Sequence, residues 1–216
     1  MKHFVLALAG AVLIVVGSMG AGQAVTINGT SGDDILTCPN NNNFTVKGKD
    51  GNDNISCGFG DDRLEGGSGD DYITDAGGNN VINGGEGNDV IIFDSSNAES
   101  NKVTGGNGND FIVDTCESDC GKDTLRGGED GDYIVGGANN DLITGDEDND
   151  SLYGGDGNDC IDGGEGDDYC NGGPGDDCCV NCESTDSCES TDPGDGACAT
   201  NKCGFISDGE CFDGNC

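Results

Sequence analysis

The sequence predicts an all-β fold, a parallel β-roll solenoid of nonapeptide repeats with a small disulfide-rich C-terminal cap. Three observations predict it. A nine-residue period recurs sixteen times over residues 29–180. Glycine, with 42 residues in the chain, concentrates at fixed places in each repeat, where it permits tight turns. The fourteen cysteines form an even set that is densest near the C-terminus, and in an exported chain such a set indicates disulfides.

Residues 1–24 are predicted to be a secretory signal peptide. Met1-Lys2-His3 is a short basic start, an apolar run covers 4–16, and small residues lead to Ala24. The apolar run is too short to cross a bilayer, which needs about twenty residues. We therefore expect cleavage near Ala24, a secreted protein that is extracellular or at the cell surface, and no membrane span after cleavage.

Residues 25–180 are predicted to form the roll. From Gly127 the units run without interruption as GGEDGDYIV, GGANNDLIT, GDEDNDSLY, GGDGNDCID, GGEGDDYCN and GGPGDDCCV. Their last three residues suit a short strand whose middle side chain points inward. Two units then make one coil, and coils stack about 4.8 Å apart. The inward eighth residue is apolar in every unit, at Leu36, Val46, Ile55, Leu64, Ile73, Ile82, Ile91, Val103, Ile112, Leu125, Ile134, Ile143, Leu152, Ile161, Cys170 and Cys179.

The sixth residue of the unit predicts metal binding. It is Asp in thirteen units and Phe44, Asn80 and Asn101 in the others. Stacked turns place Asp above Asp, and like charges that close need a counter-charge. Ca2+ accepts about six to eight oxygens from carboxylates and carbonyls, whereas Mg2+ prefers to keep its waters. The alternative is solvated Asx turns. The predicted Ca2+ ligands are Asp34, Asp53, Asp62, Asp71, Asp89, Asp110, Asp123, Asp132, Asp141, Asp150, Asp159, Asp168 and Asp177.

These units resemble the calcium-binding RTX (repeats-in-toxin) nonapeptide, G-G-x-G-x-D-x-U-x, over residues 29–180. The resemblance implies a hemolysin-type parallel β-roll in which each calcium ion lies between one turn and the next turn on the same side. Family members usually leave the cell without an N-terminal signal and contain little cysteine, and this chain departs from both habits. A toxin or protease role is therefore not carried over.

Irregular units interrupt the period. Phe44 cannot ligate an ion through its side chain, which weakens the prediction for the first calcium sites. Extra residues fall at Cys38, at 93–95 and at 114–117. If turns alternate between two sides of the roll, all three insertions lie on the same side. They are either tolerated surface insertions or a ridge of binding loops.

The cysteines are assigned to disulfides rather than zinc. The only histidine is His3, so a zinc site would need four thiolates, and export favours disulfides. The predicted pairs are Cys38–Cys57 on adjacent coils, Cys170–Cys179 across the core, Cys116–Cys120 within a loop and Cys160–Cys178 on the outside. Beyond residue 180 the period stops, and 181–216 is expected to be a Cys-rich segment. It either caps the open end of the roll or forms a separate ligand-binding knot.

Composition excludes several functions. The formal charge of -35 repels nucleic acid and anionic membranes. Because His3 leaves with the signal peptide, there is no histidine for a triad, a general base or a catalytic zinc. A carboxylate pair could cleave glycosides, but the periodic Asp residues already have a metal role. We expect no enzyme activity.

One outer face of the roll is apolar. Its residues include Tyr72, Val90, Ile92, Phe111, Val113 and Tyr133, followed by Val135, Tyr153 and Tyr169, whereas the opposite face carries Arg63, Glu65, Lys102, Thr104, Thr124, Arg126 and Thr144. Strand propensity alone favours such residues, but a contiguous apolar patch often marks a contact. We predict a calcium-binding structural or adhesive protein that associates with itself, or with a cell-surface or matrix partner, through this face. The alternative is a calcium-regulated carbohydrate-binding module using the same Tyr row.

Overall fold

The computed structural model describes residues 6–8, 11–13, 25–39, 41–97 and 99–188. The described residues contain twenty β-strands and no helix, so there is also no helix that could span a membrane. The strands are β1 Leu6–Leu8, β2 Ala11–Leu13, β3 Val25–Asn28, β4 Ile35–Thr37, β5 Phe44–Asp50, β6 Asn54–Ser56, β7 Arg63–Ser68, β8 Tyr72–Thr74, β9 Val81–Glu86, β10 Val90–Phe93, β11 Lys102–Asn107, β12 Phe111–Asp114, β13 Thr124–Glu129, β14 Tyr133–Ala138, β15 Leu142–Glu147, β16 Ser151–Asp156, β17 Cys160–Glu165, β18 Tyr169–Asn171, β19 Cys178–Val180 and β20 Ser184–Asp186.

Strands β3 to β20 form two parallel sheets that wind as a solenoid. The even sheet contains β4 to β20 in steps of two, and the odd sheet contains β3 to β19 in the same way. Neighbouring strands are one coil apart, as in the register of Ile73 with Ile91. Two nonapeptides therefore make one coil, and the fold class predicted from the sequence is confirmed. Strands β1 and β2 pair with each other as an antiparallel hairpin.

The core is a double column of inward side chains. Every predicted eighth-position residue is at most 1 % exposed, which confirms the inward register of all sixteen units. Two phenylalanines at strand ends, Phe44 at the start of β5 and Phe93 at the end of β10, join this core and are also buried. Because most strands contribute a single core residue, its burial depends on the coils above and below it.

The turns form two edges that differ in sequence. The regular edge consists of turns that lead from the odd sheet to the even sheet and begin at Gly29, Gly48, Gly66, Gly84, Gly105, Gly127, Gly145 and Gly163. The mixed edge consists of turns that lead back and begin at Cys38, Cys57, Asp75, Phe93, Asp114, Gly136, Gly154 and Gly172. The three insertions follow β4, β10 and β12, so they lie on the mixed edge, on one side of the roll as predicted.

Close stacking of the turns favours glycine at the second position of the unit. Gly85 has φ of 127°, in the left-handed region. A Cβ at this residue would lie within 3.0 Å of the carbonyl oxygen of Gly67, one coil earlier. A side chain at Gly85 would press against the neighbouring coil, whereas Lys49 and Asp146 occupy second positions of other turns with φ of 98° and 91°.

The two outer faces differ as the sequence predicts. The apolar stripe lies on the even sheet, where Val90 stands between Tyr72 and Phe111 in register. The odd sheet is charged instead: Lys47 and Arg63 both pair with Glu65, and Arg126 pairs with an aspartate of the next coil. The even sheet is therefore apolar on its outer face and the odd sheet is charged, because the parallel register stacks like residues on each sheet.

The structure confirms two of the predicted disulfides and corrects a third. Cys38–Cys57 joins adjacent coils and Cys116–Cys120 closes a loop. The predicted Cys170–Cys179 bond is wrong, because the disulfides are Cys170–Cys182 and Cys179–Cys188. Cys182 and Cys188 pack against the end of the core. Each inward cysteine thus bonds to a cysteine of the segment that reaches this end, not across the core.

Two further cysteines and one strand lie at this end of the roll. Cys160 and Cys178 face each other in register and both are disulfide-bonded; their mutual bond stays a prediction. Strand β20, within the Cys-rich segment, pairs with β18 and adds a further strand to the even sheet. The sequence beyond residue 180 gave no periodic signal for this strand.

Candidate metal centre

The sixth-position aspartates form a hydrogen-bonded ladder along each edge. On the regular edge, the main-chain N–H of Asp53 donates to Oδ1 of Asp71 at 2.7 Å, and every later aspartate up to Asp150 repeats this bond with the next coil. On the mixed edge, Asp141 donates in the same way to Asp159 at 2.8 Å. One oxygen of each carboxylate is therefore fixed by the main chain of the preceding coil.

The other carboxylate oxygen, Oδ2, is buried without a hydrogen-bond partner among the described residues. An unpaired buried charge is costly, so its repetition along both edges requires a physical reason. Asp34, at the open first coil, differs because its Oδ2 accepts the N–H of Thr30. The unpartnered Oδ2 atoms belong to Asp53, Asp62, Asp71, Asp89, Asp110, Asp123, Asp132, Asp141, Asp150, Asp159 and Asp168.

In most of the regular turns a carbonyl oxygen of the next coil lies close to the unpartnered Oδ2. A Cβ built on Gly48 would lie within 3.0 Å of both Asp53 Oδ2 and the carbonyl oxygen of Gly66 in the next coil. The first glycines of the other regular turns stand in the same relation to their own aspartate and, at most of them, to the next carbonyl. Carboxylate and carbonyl oxygens thus converge on a point where a side chain cannot fit. This donor set is the one that Ca2+ prefers.

Burial makes these carboxylates hard to ionise. Loss of solvent and, to a smaller extent, the charge of neighbouring aspartates together raise the pKa of Asp71, Asp89 and Asp150 to about 7. Asp132 reaches about 8 and Asp141 about 10 for the same two reasons. Such a row needs either protons or a cation, and a cation between successive coils neutralises two aspartates at once.

The mixed edge keeps the ladder where aspartate is missing. Asp62 donates its N–H to Oδ1 of Asn80 at 2.8 Å, and Asn80 donates to Oδ1 of Asn101 at 3.0 Å. Asn101 then donates to Asp123 at 2.6 Å. Only Phe44 provides no acceptor; its N–H donates to Asp62. The asparagines replace the ladder function of aspartate but not its second carboxylate oxygen.

Three acidic residues of the site do not occupy the sixth position of a unit. Asp75 and Asp114 occupy first positions on the mixed edge, where a regular unit has glycine, and they are only 5 % and 3 % exposed. Glu183 ends the ladder of the regular edge, because its Oε2 accepts the N–H of Asp168 at 2.8 Å. Aligning units by their first residue could have found Asp75, whereas Asp114 begins an insertion. No periodic signal points to Glu183.

The described residues contain one further cluster with metal-ligand atoms in reach of one another. Cys38, Cys57 and Asp62 bring their sulfur and oxygen atoms within 4.8 Å. The two sulfurs are joined in a disulfide, so they offer no thiolate. This cluster is therefore not a thiolate metal site.

Comparison with known families agrees with this geometry. The family model of the RTX calcium-binding nonapeptide repeat matches residues 45–73, 58–91, 65–98, 95–113, 121–152 and 144–177. Together these segments cover more than half of the 216 residues and include every predicted ligand except Asp34. No curated protein matches the chain. The chain belongs to the family of RTX calcium-binding nonapeptide repeat proteins, and the repeats of this family bind calcium.

Proposed function

We propose that this protein is a secreted structural or adhesive module whose folding and association are driven by Ca2+ held in its stacked turns. The observation that carries the proposal is the repeated pairing of a buried, unpartnered Asp Oδ2 with a glycine carbonyl of the next coil. The proposed ligands are the thirteen sixth-position aspartates. We also propose that residues 1–24 are a cleaved signal, that 25–180 form the calcium-binding roll and that 181–216 form its Cys-rich end.

The charge of the chain supports calcium-driven folding. With a formal charge of -35 and little more than one core residue for each nonapeptide, the metal-free chain has little to offset its conformational entropy. Extracellular calcium modules bind with a Kd of about 0.1–1 mM. A site at 100 times its Kd adds about 2.7 kcal/mol to the folded state. Several such sites together amount to the whole stability of a typical domain.

The apolar stripe of the even sheet supports association. Tyr72, Phe111 and Tyr133 are 42 %, 41 % and 37 % exposed, on neighbouring or near-neighbouring coils. These side chains point away from both edges, so they do not compete with the proposed calcium sites. Burial of this stripe against a second copy or a surface partner would be favourable at about 25 cal/mol per Å2 before association costs.

One observation favours carbohydrate binding as the second candidate. The rings of Phe111, Tyr133, Tyr153 and Tyr169 form a continuous ladder, with successive ring centroids 5.1, 5.1 and 5.7 Å apart. Aromatic faces offer an apolar platform, and the three tyrosine hydroxyls offer hydrogen bonds beside it. Such a platform would suit an extended glycan that lies along the roll.

The repeats of this family are typically secreted and non-catalytic. We accordingly propose that this protein acts by binding and not by catalysis. The buried aspartates already have a periodic role in the turns, and the aromatic ladder lies on the face of a sheet away from them.

The test separates folding from association. The mature protein is sized by analytical ultracentrifugation over a concentration series, with calcium and with chelator, and is also applied to a glycan array. Val90→Asp with Phe111→Asp should abolish association or glycan binding and leave calcium binding unchanged. Thr104→Asp with Thr124→Asp, outward residues of the odd sheet, is the matched control. A wild-type protein that stays monomeric with calcium and binds neither cells nor glycans would refute the adhesive and carbohydrate proposals.

A further inference from the structure

One turn of the mixed edge exchanges the positions of its acidic and neutral residues. A regular turn begins with glycine and has aspartate at its sixth position, whereas this turn begins with Asp75 and has Asn80 at its sixth. Asn80 keeps the ladder bond from Asp62. The turn therefore retains one carboxylate, supplied from the opposite end of the six-residue segment.

Hydrogen bonds hold Asp75 toward the inside of the edge. Its Oδ1 accepts the side-chain N–H of Asn80 at 2.7 Å and the main-chain N–H of Gly77 at 2.9 Å. Its Oδ2 is buried and has no hydrogen-bond partner among the described residues, although the whole residue is only 5 % exposed. This is the same division between a fixed and an unpartnered oxygen as in the repeat aspartates.

Asp62, one turn earlier, presents a matching oxygen. Its Oδ1 accepts the N–H of Phe44 at 2.6 Å, while its Oδ2 is unpartnered and the residue is 3 % exposed. The carboxyl groups of Asp62 and Asp75 lie within hydrogen-bonding reach of each other. The ion pairs of the described residues engage other acids, so no lysine or arginine neutralises this pair there. Two buried carboxylates in contact require a bound cation or a shared proton.

We propose that Asp62 and Asp75 hold a divalent cation, Ca2+, between their turns, in a site where the acid of the second turn comes from its first position. The inference rests on the proposed calcium function and adds a site that the nonapeptide pattern does not contain. It also explains the role of Asn80. The side-chain N–H of Asn80 holds Asp75, and its Oδ1 accepts the ladder bond from Asp62.

The exchange can be reversed by design. Asp75→Asn keeps the acceptor for Asn80 and Gly77 but removes the carboxylate, so it should cost one bound Ca2+ per chain. Asp75→Gly combined with Asn80→Asp rebuilds a regular turn, with aspartate at the sixth position and space at the first. This double variant should regain the ion that Asp75→Asn loses.

Two controls frame the measurement. Asp61→Asn lies beside Asp62 in an exposed row where Asn43 and Asn79 already occupy equivalent places, so it should leave the ion count unchanged. Asp89→Asn removes a regular-edge ligand and should lose at least one ion. Bound Ca2+ per chain is measured by equilibrium dialysis with atomic emission, and folding in calcium is checked by circular dichroism.

The outcomes separate the two proposals. If the wild-type chain binds no Ca2+, the proposed function fails. If the wild type binds Ca2+ and Asp89→Asn loses ions, but Asp75→Asn keeps the wild-type count, the pair shares a proton and the inference is overturned. If Asp75→Asn does not fold, the double variant decides alone: a wild-type count supports the site, and a lower or a higher count overturns it.

Discussion

The regular and mixed edges are built from the same chain with the same period, yet they fill the space at the start of each turn differently. All eight regular turns begin with glycine, and carboxylate and carbonyl oxygens converge there. On the mixed edge only the last three turns begin with glycine. Its first five begin with the two cysteines of a disulfide, Asp75, Phe93 and Asp114.

Both edges nevertheless keep the ladder of main-chain N–H groups to side-chain oxygens. Asn80 and Asn101 continue it on the mixed edge, as aspartates do elsewhere. The ladder of hydrogen bonds therefore supports the stacking of the coils on both edges. The first residue of each turn determines whether the space beside the carboxylates is left open or is filled by a side chain. A disulfide, a buried phenyl ring and the Ser95–Asp114 hydrogen bond occupy the starts of early mixed turns, where the regular edge has glycine.

The largest expected effect comes from removing calcium. A strong chelator should abolish the β circular-dichroism signal, because the rows of unpartnered Oδ2 atoms then lose their counter-charge. Readdition of calcium should restore the signal, and magnesium at the same concentration should restore much less of it. An unchanged β spectrum in chelator would contradict calcium-driven folding. Neither edge would then need a bound ion for the roll to fold.

Acid should partly replace calcium. Burial raises the folded pKa of Asp71, Asp89 and Asp150 from 3.8 to about 7, so the folded chain binds more protons than the unfolded chain between these values. By linkage, the metal-free roll gains stability as pH falls from about 7 toward 4 and loses it as pH rises. With calcium present the sign reverses, because protons compete with the ion. Circular dichroism from pH 8 to pH 5 in chelator should show a gain of β structure; a loss would refute this prediction.

Substitution of one regular ligand should have a smaller and defined effect. Asp150→Asn keeps the ladder bond, as Asn80 does, but replaces Oδ2 by an amide nitrogen. At calcium concentrations near 100 times Kd, loss of one site should lower the free energy of unfolding by about 3 kcal/mol. The matched control is Asp70→Asn, in an exposed row where Asn52 and Asn88 are neighbours. Urea denaturation of both variants gives the comparison, and equal stability would exclude Asp150 as a ligand.

The smallest expected effect separates two disulfides of the mixed edge. Cys38–Cys57 spans 19 residues and Cys116–Cys120 spans 4. Replacing each pair by serine should destabilise the calcium-bound protein by about 3 and about 2 kcal/mol, because the longer loop restricts the unfolded chain more. The same denaturation measurement tests the order. A greater loss from the short loop would show that the Cys116–Cys120 bond also shapes the native insertion.

Strict periodicity explains how much of this structure the sequence could predict. The inward residues, the sheet assignment of the stripe and the side of the insertions all follow from counting in nines, because each coil repeats the environment of the one before. The prediction does not include Asp75 and Asp114, because the nonapeptide pattern places its acid only at the sixth position. The bonds of Cys170 and Cys179 were wrong because their partners lie beyond residue 180, where no period fixes the position of the chain.

The two-unit coil also restricts how the length of this protein can change. Inserting or deleting eighteen residues adds or removes a coil and leaves every later residue on its own sheet and edge. A change of nine residues would exchange the edges for the rest of the chain. Deleting one unit between Phe111 and Tyr133 would move the later tyrosines to the charged sheet and divide the aromatic ladder. The protein therefore has a parity: its surface pattern survives even numbers of repeats gained or lost, and not odd ones.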